Sequence, residues 1–404
     1  MKNLVIALRN LARHRRRTGA ALVSIVFGAM ALVLAGGFIE WILWGMREAT
    51  IQGQLGHIQV VRAGYPEYGQ AQPFEYLLAP DGQLETLLAG HPEVEVATPR
   101  LAFSGLVSHG DHTVPFAGEG VDPVREARVS VDYRIRQGVT LAREGPEVIL
   151  GLGLASTLDA GPGDTVALLV TTAGGGYNAV EVQVSGVFAT ASKAVNDVTL
   201  RIPIGVARQL MRVEGHHGWI LLLRETMRTD AVRAELSQML EDDALELIPW
   251  HVRADFYNKS ERLLSSQMKV MQGIIAVIIL LGISNTLMMN VMERTGEIGT
   301  QLALGFRRAS IVRQFLAEGL LLGLLGGALG LALGVVAALA LSAVGIPMPP
   351  APGMDTGFVA EIRLTLPLLL TTLALAAGTT VVAGLYPAWK ASRLPIVDAL
   401  RHNR

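Results

Sequence analysis

Four apolar runs constrain this chain more than any other feature. They occupy residues 19–46, 270–292, 315–346 and 364–388. About 20 consecutive apolar residues make a helix that crosses the roughly 30 Å hydrocarbon core of a bilayer, at about 1.5 Å of rise per residue. A buried helix of a large soluble protein is the competing reading, but such helices seldom reach this length without a charge. Only 17% of the residues are charged, against about 25% in ordinary soluble domains. The sequence therefore predicts a helical membrane protein with spans in a 1+3 order. A large domain, residues 47–269, falls between the first and second spans.

The short flanks set the orientation. Lys2, Arg9, Arg13, Arg15, Arg16 and Arg17 precede the first run, and Arg294, Arg307, Arg308 and Arg313 lie in the 293–314 loop. Lys390, Arg393, Arg401 and Arg404 follow the last run, in the 389–404 tail, whereas the 347–363 loop carries only Arg363. The positive-inside rule puts both termini and the 293–314 loop in the cytoplasm and residues 47–269 outside. A cleaved signal peptide is the alternative for the first run, which has small residues at Ala35-Gly36-Gly37. Its apolar stretch exceeds the usual core of about 7–15 residues. Trp41 and Trp44 follow as an interfacial belt, so an uncleaved anchor is expected, held on the inner side by Arg15, Arg16 and Arg17. In residues 1–18, Leu4, Leu8 and Leu11 fall on one helical face, predicting an amphipathic helix on the inner membrane surface.

Residues 47–269 read as mixed α and β. Strands are expected at 94–97, 106–107, 113–116, 148–150, 166–171, 180–187, 198–202, 219–223 and 245–248, with helices at 83–89, 153–158, 204–212 and 229–241. Alternation is clearest in Val180-Glu181-Val182-Gln183-Val184. Arg47–His57 and Trp250–Lys269 continue the helical pattern of the adjoining runs, which predicts a domain standing on two helical stalks. Catalytic chemistry is not apparent. The Gly174-Gly175-Gly176 run lacks the Lys-Ser/Thr of a phosphate loop. His216 and His217 are adjacent, so they point in different directions and read as surface residues. The absence of cysteine excludes thiol nucleophiles, iron–sulfur clusters and Cys-ligated zinc. A net charge of −1 excludes nucleic-acid binding driven by bulk positive charge.

The most specific stretch runs from Glu293 to Arg308. Glu293-Arg294 closes the second span. A short helix follows between Gly296 and Gly305, expected to expose Ile298 and Leu302 beside Glu297 and Gln301 as a docking element. Glu293-Arg294-Thr295-Gly296-Glu297-Ile298-Gly299-Thr300-Gln301-Leu302-Ala303-Leu304-Gly305 closely resembles the Glu-Arg-Thr-x-Glu-Ile-Gly-x-x-x-Ala-Leu-Gly signature of FtsX-like permease domains. Those domains occur in the MacB, LolC/LolE and FtsX families of ABC transporters. The resemblance extends to Glu318-Gly319 and to the ending from Tyr386-Pro387-Ala388-Trp389-Lys390 to Asp398-Ala399-Leu400-Arg401. It is weaker in Val148-Ile149-Leu150-Gly151, Gly161-Pro162-Gly163-Asp164 and Val184-Ser185-Gly186-Val187.

The resemblance implies a type VII permease, with four membrane helices and a MacB-like α+β periplasmic domain, in the bacterial inner membrane. It implies a coupling helix that docks on an ATPase through Glu293, Arg294, Glu297, Ile298, Gly299, Leu302, Leu304, Gly305 and Arg307. The chain contains no Walker A motif and about 18 residues precede its first span. ATP and magnesium are therefore expected on a separate ATPase subunit, with no cofactor or metal on this chain, and the layout is most like LolC/LolE. The implied partners are that ATPase, a second permease protomer (the same or a homologous chain), membrane lipid, and a periplasmic lipoprotein or adaptor. The implied function is mechanical: moving lipoprotein or lipid from the inner membrane. The alternatives are drug or peptide efflux through an outer-membrane channel, or force transmission to a periplasmic hydrolase. In the third span, Gly319, Gly323 and Gly327 form one small-residue row and Gly326, Gly330 and Gly334 another. Such rows serve the dimer interface or packing inside the protomer.

Overall fold

The computed structural model describes residues 15–69, 71–142, 145–190, 192–240, 244–349 and 357–395, without the side chains of residues 15–17 and 54. The segment with Leu4, Leu8 and Leu11, the anchoring side chains of Arg15, Arg16 and Arg17, and the sequence from Ile396 onward lie outside the described residues. The chain divides into two units. One comprises Met1–Trp44, Ser260–Met348 and Val359–Arg404; the other comprises Gly45–Lys259 and Pro349–Phe358.

The helical unit is built on α1 (Arg15–Thr50), α2 (Asp255–Glu293), α3 (Thr295–Ala303), α4 (Arg308–Val344) and α5 (Leu366–Ser392). All but α3 are long and apolar enough to cross a membrane. Their shared core contains Ala21 and Ile25 of α1, Ile279, Ile283 and Leu287 of α2, Leu322 of α4, and Ala376 and Ala383 of α5. The two glycine rows of α4 face the chain's own helices. Gly319, Gly323 and Gly327 lie against Thr380, Ala377 and Leu373 of α5, and Gly326, Gly330 and Gly334 lie against Ile25, Ala29 and Val33 of α1. A Cβ at Gly330 would sit 2.7 Å from both the Ala29 Cβ and the Val26 carbonyl oxygen, so only glycine permits this approach. Gly36 and Gly37 lie within unbroken α1, where the Arg363 amide donates to the Gly37 carbonyl at 3.0 Å. The Arg363 guanidinium also lies 4.6 Å from the centre of the Trp44 ring, a cation–π contact.

The sheet unit holds β1 (Ile58–Arg62), β2 (Val94–His109), β3 (His112–Val121), β4 (Arg134–Gly138), β5 (Glu147–Gly151), β6 (Thr165–Thr171), β7 (Tyr177–Ala189), β8 (Thr199–Pro203), β9 (Gly218–Leu223) and β10 (Leu245–Pro249). The strand order is β10-β1-β9-β2-β3-β8-β5-β7-β4, and β6 joins β2 to β7. The pairings β2-β3-β8-β5-β7-β6-β2 thus close into a ring. Its interior is filled by Leu101, Val107, Phe116, Leu150, Leu168 and Val182, among others. β2 serves two lobes: Val94–Arg100 pairs with β9, while Gly105–Ser108 pairs with β6. In the β9 lobe, Leu88 of the helix Gly82–Gly90 and Val232 and Leu236 of the helix Thr229–Leu240 cover Ile58, Val60, Trp219 and Leu221.

Several elements differ from the sequence expectation. The helical pattern expected through His57 ends in a wide turn at Ile51–Leu55, and β1 follows directly. The stretches expected at 94–97 and 106–107 are one 16-residue strand, carried past Pro99 because its first half pairs with β9 and its second half with β3 and β6. His216 and His217 are buried, not on the surface. The His217 Nδ1 accepts from the Ala102 amide at 3.1 Å, and its ring stacks on Tyr65.

The register also assembles a buried ionic cluster. Parallel pairing sets Glu119 beside Arg201, and Arg100 lies on the neighbouring strand β2. The guanidinium of Arg100 bonds Glu126 of the helix Pro123–Val129, Arg201 reaches Glu119 at 2.7 Å and Glu126 at 3.4 Å, and Ser130 donates to Glu126. The Arg201 guanidinium lies 3.4 Å above the centre of the Tyr133 ring.

Candidate functional site

The stretch between α2 and α4 holds the most specific geometry in the helical unit. Hydrogen bonds run around the corner after α2: the Arg294 amide donates to the Asn290 carbonyl at 3.1 Å, and Ile298 donates to Arg294 at 2.9 Å. Thr295 supports the bend by donating its hydroxyl to the Met292 carbonyl at 2.8 Å. The far end of α3 is a Schellman cap. Phe306 donates to Gln301 and Gly305 donates to Leu302, each at 3.1 Å. This motif needs a left-handed residue after the last helical turn, and Gly305 supplies it with φ +87°. The Ala-Leu-Gly at 303–305 is thus a stop signal with a mechanical reason.

Arg294 sits at the N-terminal cap of α3 and holds three elements together. Its Nε donates to Glu297 Oε2 at 3.1 Å, within α3. Its Nη1 donates to Glu318 Oε1 of α4 at 2.9 Å. The guanidinium lies 5.7 Å from the centre of the Phe315 ring. Glu318 is 2% exposed and Arg294 10%, whereas Glu297 is 51% exposed. An acid buried at this depth needs a partner, and Arg294, not Arg313, provides it.

The two faces of α3 differ from expectation. Ile298 and Leu302 do not form an outward face. Ile298 packs with Val291, Ile311, Phe315, Ala388 and Ala391, and Leu302 lies against the same cluster. The reason is placement: α3 lies over the ends of α2, α4 and α5, so its apolar stripe is needed inside. Gly299 is buried alongside. The outward residues include Glu293, Glu297, Thr300, Ala303, Leu304, Gly305, Phe306 and Arg307, with Leu304 74% and Phe306 53% exposed. Phe306 was not singled out in the sequence, although an aromatic directly after a helix-ending glycine is a readable signal.

The sheet unit offers less. A cleft of about 280 Å³ is lined by Asp81, Glu85, Arg125, Arg208, His216 and Trp219, among others. Glu85 is already paired with Arg125 at 2.5 Å. The His216 ring nitrogens are themselves buried, and burial, then Arg208 and His217, lower its pKa to about 4. His57 also falls to about 4 through burial and then Arg47, against a smaller opposing effect of Glu95. Among the described residues no group of three or more His, Asp or Glu is placed to hold a metal.

Comparison with known proteins finds two family matches. The FtsX-like permease C-terminal family matches residues 270–396, and the MacB-like periplasmic core domain family matches residues 18–239. The lipoprotein-releasing system transmembrane protein LolC of Xylella fastidiosa is 25% identical, over 99% of both chains. The macrolide export ATP-binding/permease protein MacB of Nitrobacter winogradskyi is 31% identical over 63% of this chain. The pyoverdine export ATP-binding/permease protein PvdT of Pseudomonas putida is 33% identical over 35% of it. The chain spans 38% of that MacB protein's length and 20% of PvdT's. Among solved structures, the periplasmic region of MacB from Actinobacillus actinomycetemcomitans has a TM-score of 0.37 at 12% identity, covering 50% of this chain and 93% of that one.

Proposed function

The chain belongs to the FtsX-like, MacB-type permeases of ABC transporters, and on that premise we propose that it turns ATP hydrolysis in a separate ATPase subunit into movement of its periplasmic domain. The cargo we assign is a lipoprotein or lipid of the bacterial inner membrane. The observation that carries the cargo assignment is the alignment with LolC, which covers 99% of both chains. The relatives named for export of macrolides and pyoverdine align over shorter stretches.

In this reading α3 is the coupling helix. Leu304 and Phe306 are the apolar contacts it offers to the ATPase, rimmed by Glu293, Glu297 and Arg307, while Ile298, Gly299 and Leu302 seat the helix on the membrane spans. The basic flanks orient both termini and α3 toward the cytoplasm. Trp41 and Trp44 mark the outer interface. Two permease protomers, the same or homologous, flank one ATPase pair. The glycine rows of α4 support packing within each protomer, because α1 and α5 already occupy them.

The test is reconstitution of the chain with its ATPase in proteoliposomes that contain an acylated lipoprotein. The expected result is ATP-dependent release of the lipoprotein to a soluble carrier. A chain that binds no ABC ATPase would refute the coupling role. A chain that binds one but releases no lipoprotein, and that expels a small amphiphile when joined to a periplasmic adaptor, would favour the second reading of efflux. The MacB and PvdT relatives support that alternative.

A further inference from the structure

The coupling reading leaves open how a displacement of α3 reaches the rest of the helical unit. Backbone continuity alone does not carry it. Arg294 has non-helical dihedrals, φ −102° and ψ 16°, so α2 and α3 are separated by a bend. Leu304 to Arg307 likewise break the path between α3 and α4, with Gly305 left-handed and Arg307 extended. Each end of α3 is therefore a corner at which the helical backbone path is broken. Across these corners runs a charged side-chain connection: Glu297 of α3 to Arg294 to Glu318 of α4.

We propose that the Arg294–Glu318 pair is the transmission link that makes α3 and α4 move as one body. The proposal rests on the assignment of α3 as the coupling helix and names the residues through which it acts. The pair suits this task because it is short, directional and sheltered from water. A contact of this kind resists sliding and rotation better than the apolar packing of Ile298 and Phe315, which permits both. Beyond Glu318, the glycine rows carry the motion onward. Gly323 against Thr380 couples α4 to α5, and Gly330 against Ala29 couples α4 to α1. Both residues act through other elements and are positioning residues. Neither is required to touch the ATPase.

The experiment follows hydrogen exchange of α3 and of the outer end of α4 (residues 336–344) in the full permease–ATPase complex, with and without ATP. In the native protein, ATP is expected to change exchange at both places. In Glu318→Gln the change at α3 persists and the change at α4 falls at least fivefold. The chain has no cysteine, so Arg294→Cys combined with Glu318→Cys can be studied before and after bridging by a short bifunctional thiol reagent. The unbridged double variant behaves like Glu318→Gln, and bridging restores the response of α4 in the same folded molecules. An α4 response in Glu318→Gln equal to the native one overturns the proposal. So does a bridged variant no better coupled than the unbridged one, which would make the pair a static staple. A native complex in which ATP leaves α3 itself unchanged refutes the coupling-helix assignment and the link with it.

Discussion

Replacing Glu126 with glutamine tests whether the ionic cluster of the sheet unit is a structural necessity. Two guanidinium groups, Arg100 and Arg201, meet two carboxylates, Glu119 and Glu126. The Glu126 side chain is 5% exposed, while that of Glu119 is 25% exposed. Glu126→Gln keeps the shape but leaves two buried cations sharing one half-open acid. Removing one partner of a buried pair costs about 3–5 kcal/mol. A unit of this size loses about 2–4 °C of melting temperature per kcal/mol. The expected loss is therefore about 6–20 °C. Infrared amide bands of the purified full chain isolate the effect, because the strands belong overwhelmingly to the sheet unit. Glu119→Gln should cost less, since water reaches that site. The dependence on pH has a defined sign. Burial alone pushes the Glu126 carboxyl up, but Arg100, Arg201 and the bonds from Arg100 and Ser130 outweigh it, and the net shift is down. A lowered folded pKa makes stability complete above the unfolded carboxylate range, about pH 4.3, and drains it as pH falls through the folded value. The native protein should lose melting temperature in acid more steeply than Glu126→Gln. A variant within about 1 kcal/mol of the native protein, or equal losses for Glu119→Gln and Glu126→Gln, would refute the reasoning.

Other expectations follow from particular contacts. Gly330→Leu forces side-chain atoms into the 2.7 Å approach to Ala29 and Val26 and should cost about 1–3 kcal/mol, read as a lower melting temperature and earlier proteolysis of α1. Gly282→Ala, which meets nothing within 4 Å, should be neutral or stabilising by up to about 1 kcal/mol. Leu304→Glu or Phe306→Glu should weaken binding of the ATPase at least tenfold in pull-down without changing the melting curve, whereas Ile298→Glu should lower the melting temperature. His57 titrates near 4 when folded and near 6.5 when unfolded. The sheet unit should therefore be most stable above pH 6.5 and weaken as pH falls from there toward 4, with the midpoint of the His57 ring resonance shift near pH 4 in an NMR titration.

The helical architecture was legible because apolar length is a local property: a run such as 315–346 has one stable fate in a bilayer. The end of α3 was equally legible, since Gly305 announces its own cap. The facing of α3 was not. Ile298 and Leu302 form an apolar stripe that suits a partner protein or the chain's own core, and the choice depends on where α2, α4 and α5 end. The partner of Glu318 was hidden for a similar reason. Arg294 and Arg313 are both near in sequence, and only the bend after α2 brings the first inward. In the sheet unit, Pro99 interrupts the sequence pattern of β2 but not the strand, whose pairing changes from β9 to β6 along its length. The His216-His217 pair read as surface because a dipeptide in extended chain places one residue on each face. Here both faces are covered, by Trp219 on one side and Tyr65 with Pro73 on the other.

The pairing of β1 with β10 has a mechanical meaning. The ten-stranded sheet begins at Ile58 and ends at Pro249, and these two residues are opposite each other on the first of five rungs that end at Arg62 and Leu245. Its two ends are thus two tabs of one seam. Tension along the strands loads all five rungs together, as in a lap joint. Tension that spreads the tabs loads them one after another, as in a zip. At the mouth of the zip stands His57, whose amide bonds Leu221, whose carbonyl takes the Trp250 amide, and whose ring is tied to Leu223 and Thr226. Of these four bonds, the one from the Trp250 amide crosses the β1–β10 seam and is the first stitch that a spreading force meets, while the other three hold His57 to the β9 side. The five rungs therefore share a sliding load, whereas parting reaches them one at a time, beginning beside the bond from the Trp250 amide to the His57 carbonyl.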